Sequence, residues 1–82
     1  MLTQELINKI QHAYKLIYAY RSGDGVDPEK LKQTLTEAIK EMQGIFKISF
    51  FTNVENLSLS ELIIYFDFLV HRLHHMCNIT LH

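Results

Sequence analysis

The chain has 82 residues, nine acidic and eight basic, for a formal net charge of −1, and 48% of it is hydrophobic. That length suits one hydrophobic core in a single domain spanning residues 1–82, and the composition is too apolar and too poor in Gly and Pro for a disordered segment. The basic residues are dispersed among acids, which removes the electrostatic basis for direct nucleic-acid binding, and no apolar run approaches the ~20 residues that span a bilayer. A lone cysteine, Cys77, excludes a disulfide framework, and with no export signal after Met1 a cytoplasmic location is expected.

Three helices are predicted, over about 3–21, 28–47 and 59–77. The first opens with Thr3 as N-cap and Glu5 in its first turn, where the positive end of the helix dipole favours a carboxylate. Leu6, Ile10, Tyr14, Ile17 and Tyr18 recur at helical spacing and form the expected core stripe, with Tyr20 away from it. Tyr20 is therefore a candidate surface contact, since tyrosine joins an apolar body to a polar tip. Ser22-Gly23-Asp24-Gly25 stops the helix by offering positive φ and competing side-chain hydrogen bonds.

Asp27-Pro28-Glu29 starts the second helix: an N-cap acceptor, a proline whose missing N–H is not needed there, and an acid. Leu31, Leu35, Ala38, Ile39, Met42, Ile45 and Phe46 form its stripe, and Lys30, Gln33, Glu37, Lys40 and Glu41 are expected in solvent. The short connection makes these two helices an antiparallel hairpin. From Gly44 the pattern blurs, and Ile45 to Phe51 fits a last helical turn, a short strand or an extended segment. Helix to about Ile48 is preferred, followed by a loop whose Phe50 and Phe51 either plug the bundle end or meet a partner.

Ser58-Leu59-Ser60-Glu61 has the pattern of a capping box, with Leu57 and Leu62 placed as a hydrophobic staple. The third helix is then apolar around most of its circumference, with Asp67, His71, His74, His75 and Asn78 gathered in one polar stripe. An outer helix of a small bundle needs an apolar stripe only ~100° wide. This helix is therefore expected to be the central or interfacial element, with surplus apolar surface that a partner covers. Ile63, Phe66, Val70 and Leu73, joined by Ile64 and Phe68, are the candidate interface, and Tyr20, Phe50 and Phe51 are further candidate contacts.

Asp67, His71 and His75 are spaced i, i+4, i+8, with His74 one turn after His71, and imidazole and carboxylate are good transition-metal ligands. One straight helix supplies two adjacent ligands, so a closed site would need His12 or a second copy of the helix. The simpler reading is a solvated face, and no cofactor is called for. Cys77 near His74 lacks an orienting group and an oxyanion hole, and the Gly23-Asp24-Gly25 turn is too short and follows a helix, so neither makes an enzyme. The expected protein is an all-α three-helix bundle, completed by oligomerisation as a homodimer or within a hetero-complex. Its expected function is non-enzymatic protein–protein interaction, as a regulator, adaptor, inhibitor or assembly chaperone; the alternative is metal binding through the histidine stripe.

Overall fold

The computed structural model describes residues 3–46 and 54–77. Its elements are α1 (Gln4–Arg21), α2 (Pro28–Phe46), a short 3-10 turn (Val54–Asn56) and α3 (Leu59–Cys77). The architecture is the expected small all-α bundle. Each start signal makes the hydrogen bonds its residue types allow. The Thr3 hydroxyl accepts from the Leu6 amide at 3.1 Å, and the Asp27 carboxylate accepts from the Glu29 amide at 3.1 Å. At α3 the box is reciprocal: the Ser58 amide donates to Glu61 at 2.8 Å and the Glu61 amide donates to the Ser58 hydroxyl at 3.2 Å. The Ser58 amide also holds the Glu61 carboxyl below the usual carboxylate range. Gly23 and Gly25 take φ of 76° and 79°, the left-handed conformation that ends α1 and turns the chain toward α2.

Lys9, near the start of α1, pairs with Glu41, near the end of α2, as an antiparallel hairpin requires. The middle of α3 lies across both helices of this hairpin. The Gln43 side-chain amide of α2 donates to the Tyr65 hydroxyl at 2.8 Å, while Phe66 and Asp67 meet Tyr14 of α1. The most extensive packing belongs to α2, which adjoins both α1 and α3. Of the two roles expected for α3, central or interfacial, the central one belongs to α2.

Leu6, Ile10, Ala13 and Ile17 of α1, Leu31, Leu35, Ala38, Ile39 and Met42 of α2, and Leu62, Tyr65, Phe66, Leu69, Val70 and Leu73 of α3 make one continuous core. Val54, from the 3-10 turn, joins it. Tyr18, expected in this stripe, stands 63% exposed, and Ala13, at the stripe's other flank, is fully buried. The expected roles of Phe50 and Phe51 fall outside the described residues. Beside the 3-10 turn, Lys40 pairs with Glu55, tying the connection to the outer face of α2.

Candidate functional site

The structure divides the candidate interface of α3 in two. Phe66, Val70 and Leu73 are fully buried within the bundle, so these residues hold the fold together and are closed to a partner. The reason is geometric: α3 packs on two helices at once, so the arc of it that is covered is wider than the stripe an outer helix needs. Ile63 is half-buried at the edge of the core, and Tyr20 is 39% exposed on α1. The apolar side chains that α3 keeps in solvent are Ile64, 70% exposed, Phe68, 44% exposed, and Met76 near its end.

Ile63 and Ile64 form one wall of a cleft between α3 and α1, with Tyr14, Ile17, Tyr18 and Arg21 opposite and Asp67 at the end. Its volume is about 240 Å³. The cleft exists because α1 and α3 are held mainly through α2, leaving their outer edges apart. Tyr14 bridges them: its hydroxyl donates to the Asp67 carboxylate at 2.8 Å, and its ring packs on Phe66 with centroids 5.1 Å apart at 60°. Partial burial, and then the Asp67 carboxylate, push the Tyr14 hydroxyl well above the ordinary phenol pKa. This contact was missed in the sequence. Its only signal there was a tyrosine at the edge of one apolar stripe and a lone acid at the edge of another.

Asp67 is committed on its other side as well. The His71 Nδ1–H donates to the Asp67 carbonyl oxygen at 2.8 Å, and the same nitrogen lies 3.6 Å from the Asp67 carboxylate. The His74 and His75 rings meet edge to face at 6.1 Å. Among the described residues, no three of the His, Cys, Asp and Glu side chains come together as a metal site, and the Cys77 side chain lies outside the described residues. A larger depression of about 550 Å³, along α2, is lined by Lys30, Lys32, Glu37, Lys40 and other polar side chains and is the solvated face of that helix. Among the described residues, no helix is long and apolar enough to cross a membrane.

Among the described residues, exposed large apolar groups on α3 include Ile64 and Phe68, and Tyr18 of α1 lines the same cleft as Ile64. Ile64, Phe68, His71 and His75 follow one another along α3 at i, i+4, i+7 and i+11, so they form a single outward ridge. The chain matches no protein-family model, no curated protein and no solved structure.

Proposed function

We propose that the protein is a non-enzymatic interaction module that acts through the outer ridge of α3 and the neighbouring edge of α1. The observation that carries this reading is the exposure of Ile64, Phe68 and Tyr18. Single exposed hydrophobic residues are ordinary on a protein surface. Here Ile64 and Tyr18 face one cleft and Phe68 follows Ile64 one helical turn on, an adjacency that favours a contact surface over scatter. Such a surface suits a small regulator, adaptor, inhibitor or assembly chaperone that covers part of another protein.

The test is an Ile64→Asp, Phe68→Asp double substitution, read by circular dichroism for folding and by light scattering and partner capture for association. The expected result is a folded protein that no longer associates. Unchanged association would overturn the reading, and association abolished by a chelator would replace it with metal binding at the histidine stripe.

A further inference from the structure

The groove between α1 and α3 is apolar along its floor and carries unpaired positive charge on its α1 wall. Later residues of α1 face earlier residues of α3: Tyr14 meets Asp67, while Ile17, Tyr18 and Arg21 stand opposite Ile63 and Ile64, so the two helices run antiparallel along the groove. Lys15 and Arg21 stand three residues before and three after Tyr18, so both neighbour it on the surface of α1, about 9 Å apart along the axis. Arg21 lines the cleft, and Lys15 joins Tyr14 and Tyr18 in a shallow depression at its rim. Both cations are exposed, and neither forms an ion pair among the described residues, Asp24 three residues after Arg21 included. In the last turn, Arg21 complements the α1 dipole, but Lys15 stands in mid-helix, where the dipole does not reach. The acid that lines the cleft, Asp67, already accepts the Tyr14 hydroxyl and lies beside His71, so the charge left over in the groove is positive.

We infer that the groove receives an acidic amphipathic helix of another protein, which sets one large apolar side chain between Tyr18 and Ile64 and a carboxylate one turn to either side of it, against Lys15 and Arg21. This rests on the interaction-module reading and names the chemistry of its partner. The cleft, at about 240 Å³, is smaller than the ~300–1,000 Å³ pockets that enclose small molecules, and it suits a single large side chain acting as an anchor. A helix is the form that fits. The walls are themselves helices, whose backbone groups are bonded internally, so an extended segment would find no sheet edge to pair with, whereas a helix brings its own backbone bonds satisfied. The spacing agrees as well: side chains at i±3 on one helix align with side chains at i±4 on a neighbour packed nearly along it, so acids one turn from the anchor meet Lys15 and Arg21 together. Positive charge on the groove and negative charge on the partner then set which helices are accepted.

The probe is a labelled alanine-based helical peptide of about 15 residues, with one central phenylalanine and a glutamate four residues before and four after it, read by fluorescence anisotropy. At low salt it should bind the native chain about tenfold more tightly than the same peptide with lysines in place of the glutamates, and the preference should shrink as salt is added. Exchanging its phenylalanine for alanine, or breaking its helix with a central proline, should each remove binding below about 1 mM. Lys15→Glu with Arg21→Glu should turn the preference toward the lysine peptide, with circular dichroism checking that α1 survives. Where it does not survive, Lys15→Gln with Arg21→Gln should leave the two peptides binding alike. An acidic peptide that does not bind below about 1 mM, a lysine or proline peptide that binds the native chain equally well, or a preference unmoved in the folded charge variants would each overturn the assignment. So would phenylpropionate binding as tightly as the peptide, which would mark a small-molecule site. None of those results touches the broader interaction reading, which falls only if the Ile64→Asp, Phe68→Asp chain keeps the native associations.

Discussion

The inner and outer faces of α3 carry similar side chains and have different fates. Leu62, Phe66, Leu69, Val70 and Leu73 point into the angle between α1 and α2 and are fully buried, whereas Ile64 and Phe68, on the same helix, stand in solvent. What separates them is the number of neighbours each face meets. A helix laid across a hairpin is covered over a wide arc, and Ile64 and Phe68 lie beyond it, 70% and 44% exposed. The contrast locates the surplus hydrophobicity of α3 on a narrower ridge than its composition implies, and substitutions on the two faces should behave oppositely.

The largest effect is expected on the inner face. Phe66→Ala removes the most voluminous fully buried side chain among the described residues and its contact with Tyr14, and should cost about 3–5 kcal/mol of unfolding free energy in urea titration. For an 82-residue chain that is a large share of the total stability. A cost below about 1 kcal/mol would show that the inner face is loosely filled, and the comparison would collapse.

Between the two faces sits the Tyr14 to Asp67 hydrogen bond. Tyr14→Phe should cost about 1 kcal/mol near neutral pH, since the bond is exposed and its acceptor carboxylate also faces His71. Its pH dependence has a definite sign. The folded state raises the Tyr14 pKa above its unfolded value near ~10, so folding favours the protonated hydroxyl. That contribution is fully present below pH ~10 and is lost as pH rises beyond it, because the unfolded chain then gains by ionising. Thermal melts of the native chain and Tyr14→Phe should therefore converge above pH ~10. Melts that stay parallel would mean that Asp67 and burial do not act on this hydroxyl.

A smaller loss is expected where α3 begins, upstream of both faces. Ser58→Ala removes the hydroxyl that accepts the Glu61 amide and should cost about 1 kcal/mol, read as a lowered urea midpoint with unchanged slope. A changed slope would indicate that the cap governs how much of α3 folds at all.

The three helix starts and the end of α1 were legible because caps and turns are local chemistry: Thr3, Asp27, Ser58 and the Gly23 and Gly25 pair make their contacts within a few residues of themselves. The inward faces of α1 and α2 were legible for the same reason, apart from one residue. Tyr18 lies at the margin of the α1 stripe and is exposed, whereas the small Ala13, at the opposite margin, is buried. A large side chain at a stripe edge can leave the core without disturbing the spacing of the rest. The faces of α3 were not legible. Hydropathy around that helix gives angles, but the packing partners that decide which angles are covered come from elsewhere in the chain. Tyr14 with Asp67, and Gln43 with Tyr65, likewise join residues whose proximity follows only from the assembled bundle.

The smallest effect on stability is expected on the outer face, and it separates binding from folding most cleanly. Ile64 is more than two-thirds exposed, so Ile64→Asp removes little buried area and should change the unfolding free energy by no more than about 0.5 kcal/mol. Phe66→Asp, two residues away, would abolish any association by unfolding the chain that associates, so its loss of binding would carry no information about an interface. Ile64→Asp leaves the core intact and sets a carboxylate at the centre of the ridge. If the chain then melts as before but no longer associates, the outer face of α3 is a binding surface. If it associates unchanged, contact lies elsewhere on the bundle and the exposed ridge has no part in it.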